Sequence, residues 1–175
     1  NNPSGSVFTE QEYLEFSKVL LKYPNIIIVS DEIYEHINYG VKSVSFAILP
    51  GMYDRTVTVN GISKAYAMTG WRIGYLGAPK VIAKACNKMQ GQITSGANCI
   101  AQRATIKALE ESPEKIQYMI DEFKIRRDFI IDLITKINGF NIKQPPMGAF
   151  YIFPDISELF GKTFKGVTIN DANDL

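Results

Sequence analysis

The sequence predicts an α/β protein whose core is a mostly parallel sheet. Short apolar runs that are typical of strands alternate with segments whose apolar residues recur at helical spacing. The first run, "NIIIVSDEIY", is apolar without alternation, as expected of a parallel strand that is covered on both faces. We expect this strand to end at Asp31.

The other elements of the first part of the chain follow in order. Thr9 and Glu12 have the spacing of a capping box, which predicts a helix over about residues 10–23. The runs "TVTVNG" and "IGYLGA" predict two further strands. Pro79 suits the first turn of a second helix, and a third helix is predicted near residues 100–109.

A long segment with helical periodicity begins at Ser112 and Pro113 and stops at an Asn-Gly pair. At 1.5 Å per residue, such a helix reaches roughly 35 to 40 Å, which suits a connector between domains. After it, "QPPMGAFYIFPDI" predicts a loop and a short strand. We therefore expect three parts: residues 1–111 in one domain, a long connecting helix over 112–139, and residues 140–175 in a second region.

The composition favours small molecules or proteins as partners. The chain has 19 basic and 18 acidic residues and a formal net charge of +1, so no nucleic acid and no membrane is expected as a partner. The longest aliphatic run, residues 26–29, is far shorter than the roughly 20 residues of a membrane span. Cys86 and Cys99, with the single histidine His36, fit neither a zinc site nor a disulfide framework. We expect reduced thiols, no metal and a cytoplasmic location.

Residues that can carry chemistry follow the predicted strands. Asp31 and Tyr34 come at the end of "IIIVS", Lys64 follows "TVTVNGIS", and Asn2 lies in a Pro-Ser-Gly turn before the first helix. In open α/β sheets, ligands bind beyond the carboxyl ends of the strands. These four residues are therefore candidates for a common site.

The motifs around these residues resemble those of the fold-type I pyridoxal-phosphate enzymes, and among them the class I aminotransferases. "NNPSG" is similar to the family's Asn-Pro-Thr/Ser-Gly turn, and "SDEIYEH" is similar to its Asp-x-x-Tyr motif. "SKAYAMTGWRIGY" resembles the Ser-Lys-x-x-x-x-Gly-x-Arg segment, and "GAFYIFPD" resembles a strand of the small domain. The segment "KAYAMTGWRIGY" is most similar to the branch of bacterial aspartate aminotransferases that also includes prephenate aminotransferases. The resemblance implies that residues 1–111 are the C-terminal part of the cofactor-binding large domain, with a mostly parallel sheet. It also implies that residues 112–139 are the connecting helix and residues 140–175 an incomplete small α+β domain.

The resemblance also implies a role for each site residue toward pyridoxal 5′-phosphate. Lys64 would bond to the cofactor aldehyde and then move the proton at the substrate Cα, and Asp31 would pair with the protonated pyridine nitrogen. Tyr34 and Asn2 would donate hydrogen bonds to the phenolic oxygen of the cofactor.

The cofactor phosphate is the ligand that the resemblance implies for two further residues. Arg72 would grip the phosphate with its planar guanidinium, and the Ser63 hydroxyl would be a second donor. Gly61 departs from the pattern, because many relatives have there a serine that contacts the phosphate.

Each candidate also has an ordinary alternative. Lys64 on its own is a surface lysine, Asp31 is a cap of a following helix, and Arg72 is one half of a surface salt bridge. His36 is a packed or solvent-facing residue, and Arg126-Arg127 is the solvated face of the long helix. The conjunction of the motifs favours the functional interpretation of Lys64, Asp31 and Arg72. For His36 and for Arg126-Arg127, the ordinary interpretation is favoured.

The resemblance implies a homodimeric transaminase that moves an amino group between an amino acid and a 2-oxo acid. Aspartate with 2-oxoglutarate is the expected pair, with glutamate or prephenate and arogenate as further substrates. The family's chains are much longer than 175 residues, so we expect a central to C-terminal fragment that is inactive by itself. Two alternatives stay open: a fold-type I lyase or decarboxylase, and a catalytically silent structural or interaction fragment.

Overall fold

The computed structural model describes residues 1–175 as a chain of mixed helices and strands. No helix is both long enough and apolar enough to cross a membrane. The helices and strands are α1 (Glu10–Leu20), β1 (Ile28–Asp31), β2 (Thr56–Gly61), β3 (Gly74–Gly77), α2 (Lys80–Ile93), α3 (Cys99–Glu110), α4 (Gln117–Ile134), β4 (Thr163–Phe164) and β5 (Val167–Thr168).

The main sheet has the order β1-β2-β3. β1 and β2 are parallel, with Asp31 opposite Val59, whereas β2 and β3 are antiparallel, with Gly61 opposite Gly74. A parallel return requires a crossover that is usually an α-helix. Residues 62–73 contain only turns and one 3₁₀ helix, so β3 runs back beside β2 instead. β4 and β5 form a separate antiparallel hairpin.

The expectation that β1 is covered on both faces is wrong for this chain. Ile28 packs against the core cluster of Phe46, Leu49 and Met52, but the next residue, Val29, is 68% exposed. Side chains alternate between the two faces of a strand, so one face of β1 is covered and the other is open. The apolar run shows that both faces of β1 are hydrophobic, but it does not show whether other parts of this chain cover them.

The predicted first helix is present, and a single arginine holds its end. Thr9 and Glu12 form the expected capping box at the start of α1. After the helix, Arg55 donates to the carbonyl oxygens of Leu20 at 3.1 Å, Tyr23 at 2.6 Å and Ile26 at 3.0 and 2.6 Å. These carbonyls belong to the last residue of α1 and to the turn before β1, so Arg55 fixes how the helix leads into the sheet.

The long segment after Ser112 is only partly α-helical. Residues Pro113–Ile116 form a 3₁₀ helix, and α4 then extends for 18 residues, which corresponds to about 27 Å. The α-helix is therefore shorter than the predicted 112–139. The 3₁₀ helix and the first turn of α4 pack against the core, since Ile116 and Ile120 are buried in a cluster with Ile37 and Ala65.

Arg127 corrects the interpretation of Arg126-Arg127 as a solvated pair. Arg126 is exposed and pairs with Glu122, but the Arg127 side chain is only 12% exposed. Its guanidinium lies over the Tyr39 ring, 4.7 Å from the centroid, and donates to the Pro146 carbonyl oxygen at 3.0 Å. Arg127 therefore attaches α4 to the segment that follows it.

Three segments that are distant in sequence meet at a point that we call the glycine crossing, formed by Gly5, Ile37 and Met147–Ala149. The Gly5 carbonyl accepts from the amides of Met147 and Gly148 at 3.0 and 2.9 Å, and the Ile37 carbonyl accepts from Ala149 at 2.8 Å. A Cβ on Gly148 would lie 2.6 Å from Val7 Cγ2 and 2.9 Å from the Ile37 oxygen. Only glycine allows this approach.

The same contacts explain why the predicted strand in "GAFYIFPD" is absent. The chain makes only isolated bridges here, between Asn38 and Gly148 and between Asn141 and Asp155. Ala149 adopts a left-handed conformation, with φ of 55°, which interrupts an extended strand. This segment has the composition of a strand, but the amides of Met147–Ala149 donate to the Gly5 and Ile37 carbonyls of the glycine crossing and not to a neighbouring strand.

The crossing makes Gly148→Ala destabilising. We expect a loss of about 1 to 3 kcal/mol in the free energy of unfolding, because the added methyl group meets Val7 and the Ile37 carbonyl. The matched control is Gly91→Ala in α2, where a Cβ has no neighbour within 4 Å and where alanine should raise stability by about 0.5 to 1 kcal/mol. Urea unfolding measures both, and equal midpoints for the two variants would contradict the crossing.

Candidate functional site

The sheet brings three predicted site residues to one edge. Asp31 ends β1, and the parallel register places it beside the end of β2, after which the chain continues to Lys64. β3 is antiparallel, so its first residue, Gly74, pairs with Gly61 at this same edge. Arg72, two residues before β3, therefore also belongs to this edge. We call it the carboxyl edge.

Lys64 lies in the turn that follows β2. Ile62 and Ala65 on either side of it are 0% and 1% exposed, so the turn is held by packing on both sides of the lysine. The Lys64 ammonium lies 5.6 Å from the centroid of the Phe150 ring. It takes part in none of the protein's salt bridges. Lys64 is half-buried, so the alternative of an exposed surface lysine does not describe it.

Asp31 is exposed at the end of β1 and keeps most of its hydrogen-bonding capacity. One carboxylate oxygen accepts from the Ile33 amide at 3.2 Å, and the other has no partner in the chain. The residues that follow form turns, not an α-helix, so Asp31 does not cap a helix. Asp31 and Tyr34 both line a cavity of about 470 Å³.

Glu32 fixes the backbone next to Asp31, and the sequence analysis did not single it out. One Glu32 oxygen accepts from the Ser30 and Ser45 hydroxyls at 2.9 Å each and from the Phe46 amide at 3.0 Å. A carboxylate with three donors is held firmly. The adjacent Asp31 is thereby presented at a fixed position, while Glu32 itself is occupied.

Tyr34 lies in an aromatic cluster and has a hydroxyl partner. Its hydroxyl is 2.6 Å from that of Tyr151, and its ring meets the rings of Phe150 and Tyr151 edge-on, with centroids 5.6 and 5.8 Å away. Burial raises the pKa of Tyr34, and the hydrogen bond to Tyr151 and the charge of Asp31 raise it further. Tyr34 therefore stays protonated and able to donate at neutral pH.

Glu35 and Asn60 connect the turn after β1 to the end of β2. The Asn60 side chain donates to Glu35 at 2.6 Å and accepts from the Gly61 amide at 2.7 Å, and it is 9% exposed. His36 lies 3.4 Å from the same Glu35 oxygen. The sequence signal for Asn60 was weak, since an asparagine before a glycine is first read as a turn.

Gly61 is required by the close approach of its neighbours. A Cβ at this position would lie 3.0 Å from the Ile73 carbonyl oxygen and 3.2 Å from both Gly74 Cα and Ile33 Cδ1. A serine here would force the neighbouring main chain to shift. The departure from the family pattern at Gly61 therefore has a local packing reason.

Three further predicted residues are less closely joined to this group. Arg72 has a left-handed conformation, with φ of 56°, and donates to the Thr69 carbonyl at 3.0 Å. It lines a different cavity, of about 760 Å³, together with Asn98, which caps α3. Ser63 is half-buried and Asn2 is exposed, and neither side chain has a hydrogen-bond partner in the chain. The structure therefore groups Asp31, Tyr34 and Lys64 more closely than the other three.

A family model described as "Aminotransferase class I and II" matches residues 1–172. Among curated proteins, the chain is 47% identical over 166 residues to an aspartate aminotransferase of Pinus pinaster. The alignment covers 92% of this chain and 33% of that protein. It is 44% identical over 180 residues to a bifunctional aspartate aminotransferase and glutamate/aspartate-prephenate aminotransferase of Petunia hybrida, covering 100% of this chain and 37% of that protein.

A solved structure agrees with these relatives. The aspartate aminotransferase of Rhizobium meliloti superimposes with a TM-score of 0.94 at 39% identity, covering 99% of this chain and 44% of that one. The chain thus spans between 33% and 44% of the length of these three proteins. The carboxyl edge and these likenesses lead to one conclusion: the chain belongs to the class I and II aminotransferase family.

Proposed function

We propose that this chain supplies much of the cofactor site of an aspartate-type aminotransferase. Class I aminotransferases use pyridoxal 5′-phosphate. The full-length protein is proposed to move an amino group between an amino acid and a 2-oxo acid, and aspartate with 2-oxoglutarate is the first substrate pair to test. Prephenate is the leading further substrate, because the Petunia hybrida relative is named for it.

The observation that carries the proposal is the setting of Lys64. Its amine lies at the carboxyl edge without a carboxylate partner, against the Phe150 ring. A lysine that is held by packing but is not ion-paired keeps its nitrogen available for bonding to an aldehyde. The nearby donors and acceptors also fit the cofactor chemically: a free carboxylate oxygen on Asp31 and a protonated phenol on Tyr34.

When bound, the cofactor supplies an aldehyde for the amino group and a ring that takes up negative charge from the substrate Cα. Lys64 would hold the cofactor and then carry the proton to and from the substrate Cα. Asp31 would hold a proton on the ring nitrogen, and Tyr34 with Asn2 would donate to the phenolic oxygen.

The phosphate end of the cofactor is assigned to Arg72 and Ser63. Arg72 offers a planar fork of N–H donors that matches phosphate, and the Ser63 hydroxyl has no partner in the chain. We further propose that residues 1–111 belong to the large domain, residues 112–139 connect, and residues 140–175 belong to the small domain. The whole protein is proposed to be a homodimer.

Asp31→Asn in the full-length protein is expected to separate cofactor binding from turnover. The amide keeps the shape of the side chain but cannot hold the ring nitrogen protonated, so kcat should fall roughly 10²- to 10⁴-fold while the cofactor stays bound. The measurement is the formation of oxaloacetate from aspartate, with cofactor content followed by absorbance.

The control for this test is Asp54→Asn, at an exposed aspartate away from the carboxyl edge. It should leave turnover unchanged. Near-normal turnover of Asp31→Asn would show that Asp31 is a structural residue. Release of carbon dioxide or an amine, with no keto acid formed, would favour the lyase or decarboxylase alternative.

Residues 1–175 expressed alone are expected to show no measurable transamination. Asp31, Arg72 and Asn2 are all exposed in this chain, so a bound cofactor would lie in a solvent-exposed site. Water weakens each charged contact in such a site. The reaction of aspartate with the cofactor-loaded chain is followed by absorbance beside the full-length protein. A rate within about tenfold of the full-length rate would contradict the expectation.

A further inference from the structure

Tyr34 and Tyr151 form a hydroxyl pair that links the two ends of the chain. The two oxygens are 2.6 Å apart, although the residues are 117 positions apart in sequence. Neither hydroxyl has another hydrogen-bond partner in the chain. A tyrosine hydroxyl can donate once and also accept, so each still has hydrogen-bonding capacity to offer.

The main chain delivers Tyr151 to this place. The Ala149 amide donates to the Ile37 carbonyl at 2.8 Å, and the Tyr39 hydroxyl donates to the Ala149 carbonyl. Ala149 itself is 0% exposed. The position of Tyr151, two residues after Ala149, is therefore fixed by the glycine crossing. The Tyr151 ring packs at a tilt on the Phe150 ring, with centroids 4.9 Å apart.

The surroundings make the direction of the hydrogen bond important. The charged and titratable groups that act on Tyr34 are Asp31 and Tyr151. The Phe150 ring contacts both the Tyr34 ring and the Lys64 ammonium, which lies 5.6 Å from its centroid. If Tyr34 donates to a ligand oxygen, only Tyr151 remains in the chain to donate to Tyr34.

We propose that Tyr151 is a positioning residue of the cofactor site: its hydroxyl donates to Tyr34 and strengthens Tyr34 as a donor to the phenolic oxygen of the cofactor. This inference rests on the proposed function. Hydrogen bonds in a chain polarise one another, so a donor that also accepts becomes a stronger donor. The segment around Tyr151 thereby acts on the cofactor through Tyr34, without touching it.

Tyr151→Phe tests the hydroxyl alone, because the phenylalanine ring keeps the packing on Phe150 and Tyr34. A donor to the phenolic oxygen stabilises its anionic form and lowers the affinity of the neighbouring nitrogen for a proton. The pKa of the lysine-bound cofactor, read from its absorbance against pH in the full-length protein, should therefore rise by roughly 0.2 to 0.6 unit. Tyr34→Phe should raise it further.

The double variant and a control make the test specific. Tyr34→Phe with Tyr151→Phe should match Tyr34→Phe alone, because Tyr151 acts only through Tyr34. Tyr118→Phe removes a hydroxyl from a residue that is 76% exposed on α4 and should leave the pKa unchanged. A pKa for Tyr151→Phe equal to that of the wild type, or additive effects in the double variant, would overturn the proposal.

A measurement without cofactor separates this proposal from the proposed function. In the cofactor-free protein labelled with fluorotyrosine, the Tyr34 ¹⁹F signal, assigned by its loss in Tyr34→Phe, reports the ionisation of Tyr34. Without the cofactor, Tyr34 is free to donate to Tyr151, and this bond stabilises the protonated form of Tyr34 and raises its pKa. Tyr151→Phe should therefore lower the pKa of Tyr34 in the cofactor-free protein. An unchanged titration overturns the pairing even if the protein binds pyridoxal 5′-phosphate. A lowered pKa in a protein that binds no cofactor supports the pairing and rejects the proposed function.

Discussion

Main-chain hydrogen bonds at the glycine crossing bring together three segments that are far apart in the sequence. Gly5 belongs to the turn that holds Asn2, Ile37 follows the turn that holds Tyr34, and Ala149 leads to Phe150 and Tyr151. The approach leaves no room for side chains on Gly5 and Gly148. The aromatic cluster near Lys64 depends on this contact, because Phe150, whose ring lies 5.6 Å from the Lys64 ammonium, directly follows Ala149 of the crossing.

Local pattern predicted much of the fold and where in it the proposed site residues lie. The capping box of α1 and the ends of β1 and β2 were all readable, because each depends on neighbouring residues or on a short apolar run. The same strand ends place Asp31 and Lys64 at the carboxyl edge. Arg72 reaches this edge for a reason that the sequence did not state, namely the antiparallel return of β3.

Contacts between distant segments account for what the sequence analysis missed. From the sequence, Tyr151 was predicted to lie in a short strand. The glycine crossing places it instead where its hydroxyl contacts that of Tyr34. Arg127 looked like half of a solvated pair, but its partners Tyr39 and Pro146 lie in two other segments. Val29 has the hydrophobicity of a buried strand residue, yet this chain leaves it open. No local pattern encodes such partners.

Lys64 is proposed to be the lysine that bonds to pyridoxal 5′-phosphate. The most direct measurement is borohydride reduction of the cofactor-loaded full-length protein, followed by peptide mapping by mass spectrometry. The pyridoxyl group is predicted on Lys64, and Lys64→Ala should lose it, whereas Lys18→Ala, at an exposed lysine paired with Glu15, should retain it. A pyridoxyl group on any other lysine of the wild-type protein would contradict the account.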